Sequence, residues 1–391
     1  MKNNYLWHSK CETMKILFLT YHGFEKASGI SKKMLAQIKG LRQNGHEVHV
    51  CYYDIATDGA CCRYVDGQVI RNYGQGRLAT LLQRMDYSCI NDYCRQHGIE
   101  FVYVRCFMNA SPFNIRLFRH LQIDGIKTAM EIPTFPYDGE FASLPLKYRI
   151  EHIIDKLFRN RLASYMDAIV TFSDERIIFG QRTIRISNGI DFDSIPLHSP
   201  LISHLSPLHL IGVAEVHPWH GFDRMLKGLG EYYSQKLNAK SQKPDVFFHI
   251  VGGVSNSMMH DFRDIIKKYH IGDKVIFHGK LFGLQLDDVF QQCQFGVGSL
   301  ARHRSGITRI KTLKNREYAA RGIPFIYSEE DSDFDNQPYV LRIPADESPV
   351  NVQSIVDFIY AYDYNPADIR RTVEHLSWKN QMQIVVKALN V

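Results

Sequence analysis

Short continuous apolar runs alternate with stretches of helical period along most of the chain. The run KILFLT, from Lys15 to Thr20, reads as a buried parallel strand and opens on the loop YHGFEKASGIS. Lys32 to Gly45 follows with Met34, Leu35, Ile38 and Leu41 on one helical face, and VHVCYY is the next strand. A strand, helix, strand unit of this length starts a doubly wound sheet. Asp66-Gly67 predicts a hairpin, Leu78 to His97 a helix, FVYVRC a strand, Asn114 to Leu121 a helix and KTAMEIP a strand. Pro133, Pro136 and Asp138-Gly139 make TFPYDGEFASLP a loop at a strand's C-terminal end, where open α/β sheets hold ligands. Leu146 to Met166 then puts Ile150, Ile153, Ile154, Leu157 and Leu162 on one stripe, with Lys147, Arg149, Lys156, Arg159 and Arg161 around it. That pattern suits a helix packed on its own sheet and equally one resting on an anionic bilayer, and both readings stay open.

The strand DAIVTFS and the run TIRIS end in NGIDFDSIP, after which residues 191–207 carry Pro, Ser and His without a sustained period and read as a linker. A second series follows: LHLIGVAEV, a helix from Phe222 to Leu237, VFFHIVGG, a helix from Met259 to Tyr269, KVIFHGKL, a helix from Leu284 to Cys293, and FGVGSL. The fold class is α/β, with two doubly wound, Rossmann-like domains in tandem and the ligand expected in the cleft between them. Their expected extents are 14–190 and 208–370, preceded by an extension of thirteen residues. Residues 371–391 form an amphipathic helix, with Met382, Val385, Val386 and Leu389 on one face, that crosses back to the first domain or lies on the second. A chain of 391 residues suits this division, because single cores stop growing at roughly 250–300 residues.

A net charge of +6, from 47 Lys and Arg against 41 Asp and Glu, is too small to imply nucleic acid and suits anionic small ligands or an acidic membrane surface. The eight cysteines lack CxxC and zinc-site spacing, so reduced thiols are expected. No run reaches the roughly 18 apolar residues of a membrane span, and MKNNYLWHSKCET lacks a signal peptide's pattern. The expected location is the cytosol, with peripheral contact at the inner face of the membrane as the reading the basic helix leaves open.

The densest chemistry lies in ITRIKTLKNREYAARGIPFI, residues 307–326. Arg309, Lys311, Lys314 and Arg316 lead into a helix that a glycine, Gly322, ends before a buried strand. A helix N-terminus carrying cations holds phosphate, and Glu317, three residues after Lys314, shares its face. Diphosphate on the cations with ribose on the carboxylate is one reading. A solvated Lys/Glu pair is the other.

The order of motifs from Met14 onward resembles the GT-B glycosyltransferases, and more narrowly the retaining family-four type of bacterial capsule and exopolysaccharide loci. The residues that carry the resemblance are KILFLTYHG with SGISKK, EIPTFPYDGE, VTFSD, ISNGID, WHGFDRML, FHGKL and LKNREYAARGIPFI. It implies a nucleotide-diphosphate sugar as donor substrate on the second domain, with no cofactor and no metal, and a glycan or lipid-linked oligosaccharide acceptor on the first. By similarity, Gly279 and Lys280 lie along the base, Glu317 contacts the ribose, and Lys314 meets the diphosphate. Glu131 takes the place where many relatives have a histidine facing the sugar, and with Lys314 and Glu317 it makes up the expected catalytic set. Gly29 and Tyr137 fall on the acceptor side.

Three departures stand out. Arg309 occupies the position of the first glutamate of the Glu-x7-Glu signature, and Glu215 and His220 occupy those of an arginine and a lysine. The donor-binding set expected on this basis is His220, Gly221, Gly279, Lys280, His303, Arg304, Arg309, Lys314 and Glu317. A glycosyltransferase of surface polysaccharide synthesis is the implied function. The alternatives are a glycosyltransferase-like binding subunit without catalysis and a nucleotide-sugar epimerase.

Overall fold

The computed structural model of the chain describes residues 13–25, 28–105, 110–138, 146–198, 207–238, 243–361 and 365–389. Most of the expected N-terminal extension (1–12), part of the expected linker (199–206) and the end of the EIPTFPYDGE loop (139–145) lie outside them. The chain divides into two compact units, Met1–Ser187 with Trp378–Val391 and Asn188–Ser377.

The first unit is built on β1 (Lys15–Leu19), α1 (Gly29–Gln43), β2 (Glu47–Ile55), β3 (Cys61–Val65), β4 (Gln68–Asn72), α2 (Gly76–Met85), α3 (Ser88–His97) and β5 (Phe101–Arg105). It continues through α4 (Pro112–Ile123), β6 (Lys127–Ile132), α5 (Leu146–Ala163), β7 (Ala168–Thr171), β8 (Ile177–Ile178) and β9 (Gln181–Arg185). Its sheet runs β4-β3-β2-β1-β5-β6-β7-β9-β8, parallel from β2 to β9 and edged by antiparallel hairpins. The β3–β4 turn has Asp66 and Gly67 at φ 49° and 84°, which is why an Asp-Gly pair stands there. The single helix expected from Leu78 to His97 is two helices. Asp86 breaks it by accepting from the Ser88 amide at 3.0 Å and the Ser88 hydroxyl at 2.6 Å, a local turn that competes with helix continuation.

The second unit comprises β10 (Leu208–Val213), α6 (Phe222–Asn238), β11 (Val246–Val251), α7 (Asn256–Tyr269), β12 (Val275–Gly279), α8 (Leu284–Gln292) and β13 (Phe295–Val297). After these come α9 (Leu313–Arg321), β14 (Phe325–Tyr327), β15 (Val340–Arg342), α10 (Val352–Ala361) and α11 (Pro366–Thr372). All six strands are parallel in the order β12-β11-β10-β13-β14-β15. Strand order therefore reverses between β10 and β13, and a crevice at the strands' carboxyl ends beside that switch point is where such sheets take ligands. Residues from 188 to 198 pack on this unit, held by Arg370, which donates to the carbonyls of Phe192 and Ile195. Across the sheet, His209, His249 and His278 form a row of imidazoles joined by hydrogen bonds of 2.8 and 2.9 Å.

Helix α12 (Trp378–Ala388) belongs to the first unit. Trp378, Met382, Val385 and Val386 enter the same buried cluster as Ile16, Phe18 and Met34. Gly40 of α1 permits the approach, since a Cβ there would lie 2.6 Å from the Trp378 carbonyl oxygen. No helix among the described residues is long and apolar enough to cross a membrane.

Candidate functional site

The loop after β10 and the loop after β13 meet beside the switch point of the second sheet. His217 to His220 form a single tight turn, with the His217 ring stacked on Trp219 at 4.3 Å. Two backbone bonds zip this turn to the other loop: Leu300 N–H to the His220 carbonyl at 3.0 Å, and Ala301 N–H to the Trp219 carbonyl at 3.2 Å. Gly221 makes that contact possible. It sits at φ 64°, and a Cβ would come within 2.9 Å of both Leu300 and Ala301. The Asp and Arg of WHGFDR hold the same region. Asp223 receives two bonds from Arg304, at 2.8 and 3.0 Å, and the buried Arg224 donates to the carbonyls of Leu300 and Pro344 and to Asp346.

Helix α9 ends on this crevice. Three of the four cations predicted to gather here have carboxylate partners. Arg316 is buried against Asp331 and Asp333, Lys311 lies 3.4 Å from Asp333, and Arg309 lies 2.6 Å from Glu330. Asp331 and Asp333 are thus used inside the unit. Lys314 differs. Its Nζ is shut off from solvent and has no hydrogen-bond partner among the described residues. Burial, with the Arg302 guanidinium adding to it and Glu329 opposing it, brings the ammonium down to about 7. Around it, Thr312 Oγ1, Asn315 Oδ1, Ser299 Oγ and Glu329 Oε2 are also buried without partners. Thr312, the N-cap of α9, makes no side-chain cap. Burial raises Glu329 to about 7, and the other carboxylate oxygen accepts from Asn315 Nδ2 at 3.3 Å.

His220 joins this set electrostatically. Burial, then Lys314 and Arg302, hold its imidazole neutral, far below the usual range. Nδ1 accepts the His217 N–H at 2.9 Å, which leaves the proton on Nε2, a donor beside the cations. A cavity of about 460 Å³, lined by Arg302, His303, Ser328, Glu329 and Arg342 among others, adjoins Glu329. The Lys314 ammonium and the Thr312 and Ser299 hydroxyls at this helix N-terminus are open donors that a phosphate would complete, while Asn315 Oδ1 and Glu329 Oε2 are open acceptors beside them.

The other expected residues fall into three groups. Glu317 is steadied by Arg321, which donates to Oε1 at 2.8 and 3.1 Å, while Oε2 carries no such bond among the described residues. Gly279 and Lys280 stand at the end of β12, where Lys280 pairs with Glu215 at 2.9 Å on an exposed rim. The acid at position 215 is therefore met by a cation from the end of β12, two strands away. Three expected donor ligands, however, are already engaged. Arg304 directs its five N–H groups to Glu347, Asp223 and the Pro218 carbonyl, His303 Nε2 is bonded to Glu347 at 2.6 Å, and Arg309 is paired on the surface. These three brace the loop and do not supply open positive charge.

In the first unit Glu131 is buried at 0% exposure. It receives Arg105 at 2.6 Å, Tyr103 and Gln37 at 2.5 Å each, and Lys33 at 3.2 Å. Burial pushes its carboxyl up, but Lys33 and Arg105 prevail and hold it at about 2. A saturated carboxylate has no lone pair left for a sugar, so this geometry corrects the expectation of a catalytic Glu131. Tyr137 is buried too, its hydroxyl donating to Asp155 at 2.8 Å, which sets it in the interior and not at an acceptor surface. Gly29 opens α1, and a Cβ there would meet nothing within 4 Å.

No family model matches the chain, and no curated protein matches it. Solved structures do. A glycosyltransferase from Rickettsia africae is similar over 97% of this chain and 98% of its own, at TM-score 0.61 and 12% identity. The catalytic domain of starch synthase IV from Arabidopsis thaliana, bound to ADP and acarbose, is similar over 97% and 99%, at 0.60 and 12%. The Anabaena protein HepE, in complex with UDP and glucose, is similar over 96% and 99%, at 0.59 and 13%. The fold is GT-B. Within this GT-B chain, sequence reasoning missed Arg302, Trp219 and Glu329 as members of the cluster. The one available signal was the first arginine of RHR; Glu329 lies a strand away from Lys314, and only folding brings them together.

Proposed function

We propose that the chain is a retaining glycosyltransferase that moves a sugar from a nucleotide-diphosphate sugar to a glycan or lipid-linked oligosaccharide. The observation that carries this reading is Lys314, a buried ammonium without a partner among the described residues at the N-terminus of α9, in a region where the Thr312 and Ser299 hydroxyls are also unpartnered. GT-B neighbours bound to UDP with glucose and to ADP with acarbose support the donor class. Lys314, Arg302 and the Nε2–H of His220 would take the diphosphate and stabilise the charge that develops on it as the glycosidic bond breaks, the work that a metal does elsewhere. Glu317 Oε2 would accept from the ribose, and Gly279 and Lys280 would lie beside the base. The acceptor would sit on the first unit, in a family-four enzyme of capsule or surface-polysaccharide synthesis that works peripherally at the cytoplasmic face of a membrane.

The test is a thermal-shift and slow-hydrolysis screen against a panel of nucleotide sugars. Stabilisation by one donor with release of its nucleotide, both lost in Lys314→Met, is the expected result. Stabilisation without turnover in the presence of lipid-linked and soluble acceptors would favour a binding subunit. Conversion of the donor without any acceptor would favour an epimerase.

A further inference from the structure

Helix α5 is turned inside out. Its polar residues His152 and Asp155 are buried, and Asp155 accepts from the Ala110 amide at 3.1 Å and from the Tyr137 hydroxyl at 2.8 Å. Arg159 is likewise drawn inward to Asp138 at 2.7 Å. Four members of the aliphatic stripe consequently face away from the unit: Ile150, Ile153, Ile154 and Leu157 are exposed, Leu157 by 72%, while the fifth, Leu162, is buried in the core. Helix α2 repeats the inversion. It buries Ala79 and Gln83 and exposes Leu78, Leu81, Leu82 and Met85. A bond of 2.8 Å from Arg84 to Glu151 links the two helices, and α4 packs against both. Two exposed apolar stripes on helices linked in this way exceed what scattered exposed side chains produce, and they mark a contact surface.

We infer that the α2–α5 face is the surface by which this protein lies on an anionic lipid bilayer, an inference that rests on the proposed work at a membrane. Charge chooses this occupant. Arg77, Arg149 and Arg161 on the two helices are exposed and carry no carboxylate partner among the described residues, while the nearby acids Glu151 and Asp138 are engaged by Arg84 and Arg159. Such a face would repel a second copy of itself, whereas lipid phosphates would neutralise it as the aliphatic side chains enter the acyl boundary. At 18 residues, α5 is roughly 27 Å long, enough to lie in the interface plane along its whole stripe.

The experiment is co-sedimentation of the full chain with vesicles of phosphatidylglycerol and phosphatidylcholine, and with phosphatidylcholine alone. The variants are Ile153→Ser/Leu157→Ser, Leu78→Ser/Leu81→Ser and Arg149→Glu/Arg161→Glu. All six positions are exposed, and an unchanged melting temperature with an unchanged nucleotide response shows that each variant is folded. Wild type is expected to bind the anionic vesicles at least tenfold more tightly than the neutral ones, and each serine pair to weaken that binding by about tenfold or more. The glutamate pair is expected to weaken it and to flatten its salt dependence. Wild-type binding that the variants leave intact would overturn the assignment of this face while the peripheral reading survived. Absence of wild-type binding would overturn both, and self-association abolished by Ile153→Ser/Leu157→Ser would replace the bilayer with a second copy. Equal binding to neutral vesicles would overturn the anionic assignment.

Discussion

Two charged clusters stand at the carboxyl ends of parallel strands, one in each unit, and they are opposites. Each lone pair of the Glu131 carboxylate is answered, by two cations, a phenol and an amide, and the carboxyl is held near 2, with Gln37 Oε1 left as an unpartnered atom beside it. Around Lys314 the ammonium, two hydroxyls, an amide oxygen and a carboxylate oxygen are buried and unanswered among the described residues. Both contain the residue types expected of an active site. Burial of an unsatisfied polar group is unfavourable, so several of them at one place call for a partner, ligand or water, to complete them, whereas the Glu131 carboxylate has already found its own. Saturation, more than charge, separates scaffold from site in this protein.

The largest expected effect tests the saturated side. Glu131→Ala leaves Lys33 and Arg105 buried without their anion and is expected to lower stability by about 3–5 kcal/mol in chemical denaturation, with the nucleotide response of the remaining folded protein unchanged. A stable Glu131→Ala protein that no longer responds to nucleotide would reverse the comparison. Next, Lys314→Met is expected to weaken nucleotide binding by roughly ten- to a hundredfold, the worth of one charged hydrogen bond, while the free protein melts no lower than wild type. A large drop in melting temperature would instead make Lys314 a structural cation.

Protons sharpen the contrast further. Free Lys314 titrates at about 7, below the ordinary 10.5, and a bound diphosphate raises it again. Nucleotide binding at pH 8 should therefore take up most of a proton, and affinity should fall as pH rises above 7. Calorimetry in buffers of different ionisation enthalpy measures this uptake, which should vanish in Lys314→Met. Glu131 contributes in the other direction. Its stability is complete above pH 4.5 and is lost as pH falls toward 2.

The smallest effect concerns the imidazole row, a cluster of the second unit that is closed like the one around Glu131 but uncharged. Burial, with His209 and His278 beside it, lowers His249 to about 4 from 6.5. The unfolded chain takes up a proton in that window and the folded one does not, so stability declines as pH drops from 6.5 to 4. His249→Gln should flatten that part of the curve in a urea titration; an unchanged slope would show that the row is already protonated or open.

The alternation of apolar runs and helical periods was sufficient for the α/β class and for most elements, because burial on both faces of a parallel sheet leaves a direct mark on composition. The break at Asp86 was not visible, since it depends on a side-chain bond to Ser88 that competes locally with the helix. Lys314 and its place at the start of a helix were legible as well, from the cation-rich loop and the Gly322 stop. Which of the neighbouring cations remained available was not, because their partners Glu330, Asp331, Asp333 and Glu347 come from loops after other strands. The stripe on α5 makes the same point. Its period follows from sequence, but a helix of that period can face either way. The tertiary structure decided by burying Asp155 against Tyr137 and the Ala110 amide, bonds between segments far apart in the chain, and thereby turned the aliphatic side outward.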